Sequence, residues 1–179
     1  MTGGPAVILV GAPGAGKTSV GRRVAAEMGW EFADSDELVE ERAGKSVADI
    51  FVDDGESSFR VLEREEIARA LAEGGGVLSL GGGAVLDAST REALRGHRVA
   101  WLRVSIGEAA RRVGLNTSRP LLLGNVRGTL MSLLEQRTPL YDEVATDVID
   151  TDGLEVNDVA ARLVAALRLP QAGSEAIRP

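Results

Sequence analysis

Cysteine is absent from the 179-residue chain, which excludes disulfides, thiolate metal sites and thiol catalysis. Histidine occurs once, as His97, so neither a multi-histidine metal site nor a second-histidine relay can be built. Lysine is almost missing too: Lys17 and Lys45 stand against a large excess of arginine, and a lysine at position 17 is conspicuous for that reason. No apolar run approaches the ~18 to 20 residues of a membrane span. The N-terminus has no basic stretch ahead of the short run Ala6–Val10, so a secretory signal is not expected and the expected compartment is the cytoplasm. Positive charge is in deficit, with a formal net charge of −7. That argues against nucleic acid or a membrane surface recognised by charge, and leaves room for a small anion in a local basic pocket. The rest is ordinary: 44% hydrophobic and 26% charged residues, in a length that suits one globular domain.

Short apolar runs alternate with helical patterns, and there is no internal repeat or long linker. Ala6–Val10, Trp30–Ala33, Val77–Leu80, Arg98–Val104 and Thr146–Asp150 read as strands. Residues 17–28, 56–72, 89–94, 107–113, 127–136 and 157–167 read as helices, the fifth extending toward Val144 with a break near Pro139. Ser46 caps a further helix start, with Asp49 in the place of the usual capping-box glutamate. Residues 114–126 read as a loop and 169–179 as a fraying tail. The alternation predicts an α/β domain with a mainly parallel sheet.

The sharpest motif is Gly11-Ala-Pro-Gly14-Ala15-Gly16-Lys17-Thr18, which fits G-x-x-x-x-G-K-S/T between an apolar strand and an amphipathic helix. Glycines let backbone N–H groups turn around a polyphosphate, and the helix N-terminus adds partial positive charge. Lys17 supplies a mobile charge for the terminal phosphates, and the Thr18 hydroxyl suits Mg²⁺, with Ser19 beside it as a second hydroxyl. A nucleoside-triphosphate site follows, of a kind shared by GTPases, ATPases, motors and kinases.

Three further features bear on what the nucleotide is for. Asp34-Ser-Asp36 places two carboxylates at i and i+2; on an extended segment they share a side and can divide labour between a metal and an acceptor hydroxyl. The same residues also suit a solvated acidic loop or a helix cap. Gly81-Gly82-Gly83 ends the third strand, where a parallel sheet binds its ligands, and bare backbone there can donate N–H groups to an anion. It also suits a plain strand-to-helix turn. Arg60, Arg112, Arg119 and Arg137 are candidates for anion contacts. Each alone also suits the surface, and Arg60, between Glu56 and Glu63, suits an ordinary helical ion pair.

Taken together, these segments resemble the shikimate kinase family over nearly the whole chain, to about residue 168. The matching stretches are the phosphate loop, Asp34-Ser-Asp36, Ala48 to Glu63 with its G-E-x-x-F-R-x-x-E core, Ser79 to Val85, Asn116 to Leu122 and Arg137 to Tyr141. The resemblance implies a three-layer αβα P-loop kinase fold with a five-stranded parallel sheet, a lid at about 113–126 and a substrate-binding subdomain at about 35–63, all in one domain spanning 1–168. It implies ATP as co-substrate, Mg²⁺, shikimate as acceptor and a monomer. Asp36 would then hold the shikimate hydroxyls, and Asp34 would contact Mg²⁺ through water. Arg60, Arg137 and the glycine turn would hold the carboxylate, Arg119 would reach the phosphates and Arg112 would lie against adenine. Ser79 stands where other P-loop proteins carry a Walker-B acid. The loop after Asp150, Thr-Asp-Gly-Leu-Glu-Val, departs from relatives that carry basic residues and a proline there. Trp30 and Trp101 are expected to pack, Tyr141 to fix Arg137 by packing, and His97 to sit in a solvated turn. The rival readings are a kinase of similar fold for gluconate or a nucleoside monophosphate, and a non-catalytic ATP-binding regulatory module.

Overall fold

The computed structural model describes residues 4–114 and 125–170. Five strands form one parallel sheet: β1 (Val7–Val10), β2 (Phe32–Asp34), β3 (Val77–Ser79), β4 (Val99–Arg103) and β5 (Asp147–Asp150), in the order β2-β3-β1-β4-β5. β1 lies at the centre, with Val7 opposite Val77 and Ile8 opposite Val99. Val7, Ile8 and Leu9 are fully buried, as a strand covered on both faces requires.

The helices are α1 (Lys17–Met28), α2 (Ser35–Ala43), α3 (Val47–Asp53), α4 (Glu56–Glu73), α5 (Ala88–Ala93), α6 (Ile106–Gly114), α7 (Val126–Val144) and α8 (Val156–Leu167). Parallel crossovers are right-handed. The step from β1 to β2 runs one way across the sheet and all later steps run the other way. α1 therefore covers one face, where it packs on α8, and α4, α5 and α7 cover the other. The reversal opens a crevice beyond the carboxyl ends of the central strands.

The described residues form two apolar clusters. The larger fills both sides of the sheet; the smaller joins Val39 of α2, Ile50 of α3 and Phe59 of α4, with Phe51 and Leu62 against it. The smaller cluster makes α2, α3 and the first half of α4 a packed unit beside the crevice. Glu66, only 2% exposed, fastens that unit to the rest of α4 by pairing with Arg42 of α2 (2.9 Å) and with Arg69.

Three expectations are adjusted. The second strand ends on Asp34, and α2 starts at the next residue, so Asp34-Ser-Asp36 spans a strand end and a helix start rather than one extended segment. The cause is capping: Asp34 Oδ1 accepts the Asp36 N–H at 3.0 Å and turns the chain at once. α7 continues through Pro139 without a break. Proline removes one backbone donor there, and packing of α7 on α6 and β4 holds the helix across it. Finally, His97 is half-buried rather than solvated, because it closes over Gly4 at the amino edge of the sheet.

Candidate active site

The phosphate loop joins β1 to α1. Gly14 (φ +82°) and Gly16 (φ +89°) adopt left-handed backbone that a residue with Cβ rarely tolerates. Gly16 precedes α1 without any side-chain cap, and the first turn holds no acidic residue. The N-terminal N–H groups of α1 are therefore left for an external anion. The Lys17 ammonium folds back across the loop and donates to the Gly11 carbonyl (2.7 Å) and the Ala12 carbonyl (3.2 Å). This keeps its charge beside the place where phosphates would enter.

The end of β2 meets this loop. Thr18 Oγ1 donates to Asp34 Oδ2 at 2.9 Å, while the other oxygen of the same carboxylate caps α2. Asp34 is buried (8% exposed), and its neighbour across the sheet is Ser79, whose hydroxyl is also buried and has no hydrogen-bond partner among the described residues. A hydroxyl and a carboxylate at this spacing are hard oxygen donors suited to Mg²⁺, which takes one or two protein carboxylates and otherwise keeps waters and substrate phosphates.

The glycine turn 81–83 is where the remaining chemistry converges. A methyl group at Gly81 would sit 2.6 Å from Asp36 Oδ1 and 2.9 Å from Glu63 Oε1. At Gly82 it would sit 3.3 Å from Arg137 Nη1, and at Gly83 only 2.8 Å from Arg60 Cζ. Two carboxylates and two guanidinium groups, from α2, α4 and α7, thus pack on three residues of bare backbone. The Arg60 guanidinium also pairs with Glu63 Oε2 at 2.6 Å. Glu63 Oε1 and Arg137 Nε are both buried without a hydrogen-bond partner among the described residues. An orphaned acceptor and an orphaned donor in one cradle mark a place for a polar ligand. Burial pushes the Glu63 carboxyl above its usual range; Arg60 opposes that shift and Asp36 adds to it.

The structure therefore brings Asp36, Arg60, Arg137 and residues 81–83 together, and seats Asp34 between them and Lys17 and Thr18. It also changes the part that Gly81 plays. The Gly81 N–H is committed to Ser35 Oγ at 2.8 Å, so Gly81 lends the cradle its open shape rather than a free donor. Arg112 is clasped by Glu108 Oε1 (2.8 Å), the Gly14 carbonyl (3.2 Å) and the Thr151 carbonyl (2.7 Å), which fixes its plane between the phosphate loop and the loop after β5. Arg119 lies outside the described residues, as does the Asn116–Leu122 motif.

Glu63 and Ser35 were not named as site residues from the sequence; Glu63 was read only as a helical ion-pair partner of Arg60, and that pair is present. Glu63 could have been so named: it sits three residues after Arg60, inside the matched segment. Ser35 offered no signal beyond its position between two aspartates. Trp101 packs against Tyr141, with ring centroids 5.9 Å apart. A cavity of about 700 Å³ runs along Trp101, Ile106, Leu134 and Pro139 and reaches the phosphate loop at Ala12. It contains none of Asp36, Arg60 and Arg137.

A parallel sheet with a glycine phosphate loop after its central strand, and an acid-and-arginine cradle one strand away, defines the P-loop kinases of small molecules. Within that class the comparisons with known proteins are specific. The family model described as shikimate kinase matches residues 13–168, and the chain belongs to that family. A shikimate kinase from Thermobifida fusca is 51% identical over 173 residues, covering 97% of this chain and 99% of its own. One from Frankia casuarinae is 55% identical over 161 residues, covering 90% of this chain and 72% of its own. Among solved structures, a shikimate kinase from Acinetobacter baumannii in complex with shikimate has a TM-score of 0.82 and 36% identity, covering 94% of this chain and 97% of that one.

Proposed function

We propose that this protein transfers the γ-phosphoryl group of ATP to the 3-hydroxyl of shikimate, giving shikimate 3-phosphate and ADP for chorismate and aromatic amino acid biosynthesis. The observation that carries the reading is the convergence of Arg60, Arg137 and Asp36 on the glycine turn, one strand away from the phosphate loop. A carboxylate on the acceptor explains two guanidinium groups and an amide turn in one place. Its hydroxyls explain a carboxylate beside them.

Transfer is direct and in line. The acceptor oxygen bonds to the γ-phosphorus as the bond to the β–γ bridging oxygen breaks, and ADP leaves. Asp36 orients the hydroxyl and takes its proton. Lys17 and the amides of Gly14 and Gly16 hold the phosphates, with Ala15 between them shaping the loop through its own N–H on the Ala12 carbonyl, and Arg119 adds charge for the transferring group. Thr18 and Asp34 are the residues to hold Mg²⁺, with Ser19 as neighbour to Thr18. When bound, that ion neutralises charge developing on the phosphates. Arg112 lines the adenine side. Residues 35–63 act as the acceptor-holding subdomain and 113–126 as the lid of a single domain. The protein works as a cytoplasmic monomer and needs no nucleic acid or membrane. Among the described residues, no helix is long and apolar enough to cross a membrane.

The test is a coupled ADP assay with a panel of acceptors, checked by mass. The expected result is ADP release that requires shikimate and a product heavier by one phosphoryl group. ADP release with gluconate or a nucleoside monophosphate instead, or ATP binding without any transfer, contradicts the proposal.

A further inference from the structure

A run of three glycines has no side chains to anchor it and loses the most conformational freedom on folding. The turn at 81–83 nevertheless has to aim its N–H groups. One end is held where Gly81 donates to Ser35 Oγ. The other is held by Tyr141, which is fully buried and donates its hydroxyl to the Gly82 carbonyl at 2.7 Å. In a trans peptide the carbonyl of one residue and the N–H of the next point in opposite directions. Drawing the Gly82 carbonyl toward α7 therefore turns the Gly83 N–H away from it. Arg137, one helical turn back on α7, comes to the same turn: its Nη1 lies 3.3 Å from where a Cβ on Gly82 would stand. The peptide that this hydroxyl holds and the guanidinium beside it thus act on the same ligand.

We propose that Tyr141 is a positioning residue for acceptor recognition: its hydroxyl sets the Gly82–Gly83 peptide beside the Arg137 guanidinium, so that both meet the acceptor carboxylate. The inference rests on the reading of the site given under Proposed function and adds a residue that touches neither substrate. Burial pushes the phenol pKa up to about 12, with Arg137 pulling the other way, so the donor stays protonated throughout the working range of pH.

The experiment compares wild type with Tyr141→Phe, which keeps the ring against Trp101. Kinetics are measured for shikimate, for ATP and for a shikimate analogue with a neutral amide in place of the carboxylate. The expected result is a KM for shikimate raised roughly 3- to 10-fold, the size of one lost hydrogen bond. The KM for ATP stays unchanged, and so does kcat/KM for the neutral analogue. An equal loss with both acceptors, or an unchanged KM for shikimate, overturns the assignment while leaving the functional reading intact. No turnover of shikimate by the wild type overturns both. If the variant does not fold, the wild type still decides. Tyr141 is the only tyrosine in the chain, so ¹³Cζ-labelled tyrosine gives one resonance. That resonance should move with shikimate and stay in place with the neutral analogue; equal responses overturn the assignment.

Discussion

Asp34 shows how few atoms join the two halves of the site. One carboxylate oxygen accepts from Thr18 in the phosphate loop, and the other caps the helix that carries Asp36. The nucleotide side and the acceptor side are thereby registered through a single buried group. Asp36 itself is placed for the acceptor, so Asp36→Asn should lower kcat by ~10²- to 10⁴-fold, the range of a lost proton acceptor. ATP affinity by calorimetry should be unchanged, and near-native turnover removes Asp36 from the chemistry. Gly83 belongs to the same scale. In Gly83→Ala the new methyl overlaps the Arg60 guanidinium, and losing a charge-assisted contact of this kind raises the KM for shikimate roughly 10- to 100-fold. The KM for ATP should not move; a parallel rise in both would mean that the turn serves the nucleotide as well.

At the scale of elements, local signals were legible and their combination was only partly so. Ser46 was readable as a cap, and its hydroxyl does accept the Asp49 N–H at 3.1 Å. The phosphate loop was readable because strand, glycines, lysine and helix are contiguous. Asp34 was harder, since one carboxylate serves as cap and as site residue at once. Pro139 was read as a breaker because the sequence does not show that α7 is held along its length by α6, β4 and the turn after Gly83. The short α5 behind that turn gives an element-scale prediction. Asp87 caps it by accepting the Thr90 N–H at 2.9 Å. Hydrogen bonds from Ser89, the Thr90 amide and Arg64 outweigh burial and lower its pKa from 3.8 to about 2. A depressed carboxyl stabilises the fold above its unfolded pKa and loses that effect as pH falls through the folded one. Asp87→Ala should therefore lower Tm by about 2 to 4 °C at neutral pH, as expected for a lost cap. The gap between wild type and variant should close as pH drops from 3.8 to about 2. A gap that is constant with pH contradicts the ionised cap.

At the scale of the whole molecule, a chain of net charge −7 gathers guanidinium groups from α4 and α7 over one turn of backbone. The gathering was not legible from spacing, because Arg60 and Arg137 are brought together only by the strand order and by the face to which each helix is assigned. Family resemblance supplied the substrate, and the sheet supplied the reason these residues meet. The account stands most directly on where the acceptor sits. The measurement is a crystal structure of the protein with shikimate and a non-hydrolysable ATP analogue. The account predicts the shikimate carboxylate between Arg60 and Arg137 against Gly82 and Gly83, with a hydroxyl at Asp36 facing the terminal phosphate. Shikimate bound in the cavity beside Trp101, or with its carboxylate turned away from both arginines, would contradict it.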